Sequence, residues 1–178
     1  IYNAEDFLKS FPLHTVYLLN YRGYGQSTGY PTEKGIFSDT LLLFDMVKQK
    51  HQNISVIGRS LGSGVAIYLA SKRSLHKIAL ITPYDSIKSL GQSKFIIFPV
   101  FLLLKDKFDS LNRVKHFKAE TIALLAENDE VIPYEHSQRL INAFPPEQIT
   151  AITIKNSGHN DISYKEEYYQ HLSNFFNY

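Results

Sequence analysis

Three residues far apart in the chain carry side chains that together could cleave an acyl bond: Ser60, Asp129 and His159. Ser60 is the centre of Gly58-Arg59-Ser60-Leu61-Gly62, a G-x-S-x-G pentapeptide. A serine hydroxyl is a weak nucleophile at neutral pH and needs an adjacent general base. A histidine can take that proton during attack and return it to the leaving group, while a carboxylate behind the ring fixes the tautomer and stabilises the imidazolium. Glycines around the serine permit a turn too sharp for a Cβ, which lifts the hydroxyl above a sheet. The pentapeptide alone is equally well read as a glycine-rich turn that closes a helix onto a strand. Glu127 and Glu130 compete with Asp129 for the acid's place, and Asp129 could instead cap a helix. A metal reading of His159, Asp161 and Asp129 lacks a second histidine at a matching offset, so no metal is expected.

The elements around these residues favour the catalytic reading. Apolar, strand-like runs cover Thr15 to Asn20, Asn53 to Gly58, Lys77 to Thr82, Thr121 to Ala126 and Ile149 to Ile154. Helical patterns lie between them: Asn3 to Phe11, Thr32 to about Lys50, Leu61 to Lys72, about Pro133 to Ala143, and Asp161 to Phe176. In the second of these, Ile36, Phe37, Thr40, Leu41, Phe44 and Val47 recur at helical spacing behind a Thr32 start. Near-continuous apolar strands alternating with helices specify a parallel sheet covered on both faces. In open sheets of this kind, sites gather at the carboxyl ends of the strands. Ser60, Asp129 and His159 each follow such an end, in the chain order Ser, Asp, His associated with this architecture.

Bulk composition bounds the remaining choices. The chain has 178 residues, 44% hydrophobic and 20% charged, which fits one α/β domain over 1–178. A net charge of +2 without a concentrated basic stripe gives no expectation of nucleic acid. There is no cysteine, so disulfides, thiol nucleophiles and thiolate metal sites are excluded. No stretch reaches the ~18 apolar residues of a membrane span. The longest apolar run, Phe95 to Leu104, is interrupted by Pro99. The chain starts at Ile1 and its only methionine is Met46, from which we expect further sequence upstream. The expected location is the cytoplasm or a membrane surface.

Several motifs extend the pattern. Asn20-Tyr21-Arg22-Gly23-Tyr24-Gly25-Gln26-Ser27-Thr28-Gly29, then Pro31-Thr32-Glu33-Lys34-Gly35, precede the G-R-S-L-G elbow. Pro83-Tyr84-Asp85-Ser86-Ile87, Asp129-Glu130-Val131-Ile132-Pro133 and Gly158-His159-Asn160 follow it in order. Together these resemble the Bem46-related serine hydrolases of the α/β-hydrolase fold, over essentially the whole chain. The resemblance implies an N-terminally truncated α/β-hydrolase domain with a small helical lid at 84–118, inserted after the Lys77 to Thr82 strand. It implies a catalytic set of Ser60, Asp129 and His159. It also implies an oxyanion hole that uses the Leu61 N–H, with Asn3 or Tyr2 as candidates for the second donor. No metal or organic cofactor is implied.

The lid carries the apolar run 95–104 between Lys94 and the pair Lys105 and Lys107. Such a run could line an acyl pocket, rest on a membrane surface, or pack on the sheet as core. The expected substrate is a small molecule or acylated compound with an ester or thioester bond. A serine peptidase of related fold, and a non-catalytic binding or scaffold module, stay open as alternatives.

Overall fold

The computed structural model describes residues 4–94 and 105–177. Tyr2, Asn3 and the run 95–104 therefore lie outside the described residues, and with them the expected second oxyanion donor and membrane-facing segment. Helix α1 spans Ala4–Lys9 and α2 spans Glu33–Lys48. They are followed by β1 (Val56–Arg59), α3 (Leu61–Lys72), β2 (Lys77–Ile81) and α4 (Ile87–Lys94). The last elements are β3 (Glu120–Ala126), α5 (Tyr134–Ile141), β4 (Ile149–Ile154) and α6 (Glu166–Asn177). The four strands form one parallel sheet in the order β1-β2-β3-β4. This is the α/β architecture expected.

The two faces of the sheet follow from the two-residue period of a strand. Ile78 and Leu80 of β2 point to a cluster with Phe44 of α2 and with Ala66, Ile67 and Ala70 of α3. Ala79 and Ile81 point the other way, to Leu124, Ile154, and Tyr168 and Leu172 of α6. Helices thus cover both faces, which is why all five β2 residues are buried and the strand carries no alternation. Thr32 caps α2: its hydroxyl accepts the Gly35 N–H at 3.2 Å. A third cluster (Ile36, Phe37, Val65, Tyr84, Phe108, Ile132) lies beside Tyr21 and Leu61, near the carboxyl ends of the strands.

Two expectations are corrected. The run Thr15 to Asn20 belongs to no strand and pairs with none among the described residues. A strand is stabilised by ladder bonds to a neighbour, and apolar content does not supply one. Here Tyr17 and Leu18 stay 42% and 58% exposed. The final helix does not start at Asp161. A short 3-10 turn covers Ile162–Tyr164, Lys165 is extended, and α6 begins at Glu166, with Glu166 and Glu167 in its first turn, where acidic side chains suit the helix dipole.

The two ends of segment 84–118 are joined to each other by backbone bonds. The Asp85 carbonyl accepts the Ser110 and Leu111 N–H groups, at 2.9 and 3.0 Å, and Ile87 N–H donates to the Lys107 carbonyl at 2.9 Å. No helix among the described residues is long and apolar enough to cross a membrane.

Candidate active site

Strand β1 runs directly into α3 through one residue, Ser60. Its backbone sits at φ 51°, ψ −120°, a conformation that costs a non-glycine residue about 1–3 kcal/mol. The surroundings hold it there. Ser60 N–H extends the sheet ladder to the Ile81 carbonyl at 2.9 Å. The Ser60 carbonyl accepts both the N–H and the hydroxyl of Ser63, at 2.8 and 2.7 Å. The turn is tight enough to dictate Gly58. A Cβ there would collide with the Gly62 carbonyl oxygen and come within 2.8 Å of the Ala66 methyl. Leu61 is the first residue of α3, so its N–H is among the donors that a helix N-terminus leaves without an internal acceptor.

His159 Nε2 lies 3.0 Å from Ser60 Oγ, across 99 residues of chain. Its Nδ1 lies 3.0 and 2.9 Å from the two carboxylate oxygens of Asp129. Both side chains are more than nine-tenths buried. Asp129 Oδ1 also accepts the Val131 and Ile132 N–H groups at 2.9 and 2.7 Å, closing the turn that leads to α5. Burial acts to raise the Asp129 carboxyl; the bond to His159 and the two amides outweigh it and hold the pKa below the ordinary aspartate value.

The competing acids point elsewhere. Glu127 pairs with Lys155 Nζ at 2.7 Å and accepts the Asn156 N–H at 2.8 Å at the surface. Glu130 Oε2 meets the His159 backbone N–H at 3.1 Å, not the imidazole. Asp161 Oδ1 accepts the Gly158 N–H at 2.6 Å.

Tyr21, in the loop after the first apolar run, faces the elbow: a Cβ on Gly62 would stand 3.2 Å from its hydroxyl. Burial pushes its pKa up to about 12, so it is a neutral phenol throughout the working range. Tyr84 sits against Gly64 of α3, and burial raises it further.

Against known families, the family described as Serine hydrolase (FSH1) matches residues 17–160, a span that holds Ser60, Asp129 and His159. The chain belongs to this serine hydrolase family. Its relatives include a putative alpha/beta hydrolase of Acanthamoeba polyphaga mimivirus, 32% identical over 149 residues, covering 80% of this chain and 55% of that protein. The lysophosphatidylserine lipase of Bos taurus is 30% identical over 183 aligned positions, covering 90% of this chain and 46% of that one. The chain spans about half the length of the curated relatives it matches. Among solved structures, a lipase-esterase related protein of Clostridium acetobutylicum superposes with a TM-score of 0.75 at 15% identity, over 96% of this chain and 87% of that one. The monoacylglycerol lipase of Paleococcus ferrophilus superposes with a TM-score of 0.69 at 17% identity, over 96% and 88%. At such identities the superpositions speak for the fold, which is the α/β-hydrolase fold. The likeness drawn from the sequence motifs holds at the level of that superfamily.

Among the residues singled out from the sequence, Ser60, His159 and Asp129 come into one hydrogen-bonded line, and Leu61 follows the serine. The residues that sequence reasoning passed over are charged groups tied to these loops. Arg59 Nη2 donates to the His159 carbonyl at 2.8 Å. Asp85, buried after β2, lies 2.9 Å from both His136 Nδ1 and Arg139 Nε, and accepts the Ser86 N–H at 2.6 Å. Asp85 stood inside a recognisable motif, but its partners lie 51 and 54 residues away, beyond the reach of local spacing.

Proposed function

We propose that this chain hydrolyses esters or thioesters by covalent acyl transfer through Ser60, with His159 as general base and then acid, and Asp129 behind it. The observation that carries the reading is the continuous line from Ser60 Oγ to His159 Nε2 at 3.0 Å and from His159 Nδ1 to Asp129 at 2.9 Å. Base catalysis needs a hydrogen-bond separation of this kind. The strained Ser60 backbone at the head of α3 supports it, because strain of this sort gathers at sites that use it.

Ser60 Oγ attacks the acyl carbonyl while its proton passes to His159 Nε2. The carbonyl oxygen gains a negative charge, which the Leu61 N–H and the positive end of α3 stabilise. Collapse of the tetrahedral species transfers the proton from His159 to the leaving group and leaves the acyl group on Ser60. Water then attacks the acyl carbonyl as its proton passes to His159 Nε2; collapse of the second tetrahedral species breaks the bond to Ser60, returns that proton from His159 to Ser60 Oγ and releases the acid. Asp129 remains ionised throughout; its lowered pKa favours this, and its charge stabilises the imidazolium.

The substrate we assign carries an apolar acyl group. The names of two similar proteins, a lysophosphatidylserine lipase and a monoacylglycerol lipase, support that choice. The test pairs a fluorophosphonate probe with p-nitrophenyl esters of increasing chain length. Wild type takes the label and prefers the longer esters, and Ser60→Ala loses both label and turnover. Label persisting on Ser60→Ala would remove Ser60 as nucleophile; activity confined to the shortest esters would remove the apolar acyl group.

A further inference from the structure

His159 stands in a turn between β4 and the 3-10 turn at 162–164, in neither helix nor strand. No regular hydrogen-bond ladder therefore fixes its backbone. The residue just before the turn's Ser157-Gly158, Asn156, has a φ of 49°, so the chain enters the turn through a sharp reversal. A histidine so placed could shift as a whole, and a displacement of about 1 Å from the productive geometry costs roughly 100-fold in rate.

Two charged side chains take the place of the ladder. The His159 carbonyl accepts from Arg59 Nη2 at 2.8 Å. The His159 N–H donates to Glu130 Oε2 at 3.1 Å. Arg59 is the residue immediately before Ser60, at the end of the strand that carries the elbow. Glu130 is the residue immediately after Asp129. The backbone of the histidine is thus held by the sequence neighbours of the other two members of the line. A bond from a charged donor or to a charged acceptor is shorter and stronger than a neutral one.

Further contacts support this geometry. The loop of the acid and the loop of the histidine are also joined by Asn128 N–H to the Ser157 carbonyl, at 2.8 Å. A Cβ on Gly158 would come within 2.9 Å of Glu130 Oε2, so the glycine is what lets the carboxylate reach the His159 amide.

We infer that Arg59 and Glu130 are positioning residues that clamp the His159 backbone from either side and set the imidazole between Ser60 and Asp129. The inference rests on the proposed role of Ser60 and His159. It assigns no contact with substrate to either residue. It does explain why charged groups stand beside both Ser60 and Asp129 in the sequence.

The test is a kinetic series on the whole protein, with p-nitrophenyl ester turnover, fluorophosphonate labelling rate and thermal midpoint read for each variant. Arg59→Met is expected to lower kcat by about 10- to 100-fold with KM changed less than about threefold, because alignment rather than binding is lost. Arg59→Lys, which keeps one charged donor, recovers part of the rate. Glu130→Ala lowers kcat by about 10-fold, and Glu130→Gln restores most of it, since its carbonyl oxygen can still accept the amide. In a His159→Ala background, adding Arg59→Met changes the residual rate by less than about twofold, because the group it positions is gone.

Arg59→Met retaining wild-type kcat, on an enzyme that labels normally, overturns the clamp and leaves the proposed function standing. An equal loss from Arg59→Met with and without His159 also overturns it, since that marks general damage to the fold. A wild-type protein that takes no label and turns over no ester overturns the proposed function, and the clamp with it.

Discussion

At Asp129 two effects on the carboxyl oppose each other, and hydrogen bonding prevails over burial. The same contest is decided the same way at Asp85: burial raises the carboxyl, and bonds to His136, Arg139 and the Ser86 amide hold it down. A folded-state pKa below the unfolded one stabilises the fold fully above the unfolded value of about 4. That contribution is lost as pH falls through the folded value. Asp85→Asn is therefore expected to cost about 3 kcal/mol at pH 7, because it breaks a buried pair. The gap from wild type should narrow at pH 3, and an equal gap at both pH values in urea unfolding would refute the assignment. The acids near His159 separate by role. Asp129→Asn keeps the shape but loses the charge and favours the wrong tautomer, with an expected loss in kcat of about 10⁴-fold. Glu127→Gln breaks only the surface contacts to Lys155 and Asn156, and steady-state ester hydrolysis should show kcat within about twofold of wild type.

The strand–turn–helix unit β1-Ser60-α3 concentrates the constraints of the site. Glycines here and in the loop before α2 divide into those needed for space and those needed for backbone angle. At Gly58 an added Cβ meets the backbone carbonyl of Gly62, which no side-chain rotation can relieve. Gly58→Ala is expected to destabilise by about 3 kcal/mol and to abolish turnover. Gly25, in the loop before α2, has a φ of 58° and nothing within 4 Å of where an alanine methyl would stand. There the only penalty is the left-handed backbone, about 1–2 kcal/mol, and activity should survive. Urea midpoints and ester turnover for the pair distinguish the two causes; a similar loss of activity from both would undo the distinction.

Taken whole, the molecule is a parallel sheet between two helical layers, with a hydrophobic cluster on each face and a third near the carboxyl ends of the strands. Leu124 sits in β3, which is flanked by β2 and β4, and is fully buried. Leu124→Ala should cost about 2–5 kcal/mol, lowering the thermal midpoint by roughly 5–15 °C. Leu42, 63% exposed on the outer face of α2, should tolerate alanine within about 0.5 kcal/mol. Calorimetry of the two variants checks the contrast; a Leu42→Ala loss as large as that of Leu124→Ala would mean that α2 has a covered outer face.

The sequence by itself determined the alternation of four buried strands with helices, and it marked Ser60 and His159 as candidates. Runs such as KIALI and TIALLA are apolar on both faces, so only burial between two layers suits them. Thr32 marks the start of α2 because capping is local, decided within three residues. Tertiary structure alone decided three things: the fate of Thr15 to Asn20, which acid faces the imidazole, and the charged side chains on the His159 backbone. A strand needs a neighbour that periodicity does not name. Glu127, Asp129 and Glu130 share one turn, and the torsions of that turn, set by the Val131 and Ile132 amides, aim only Asp129 at the His159 imidazole. The bond from Arg59 spans 100 residues, a separation at which no local pattern survives; only the tertiary fold brings the loop after β4 to the carboxyl end of β1.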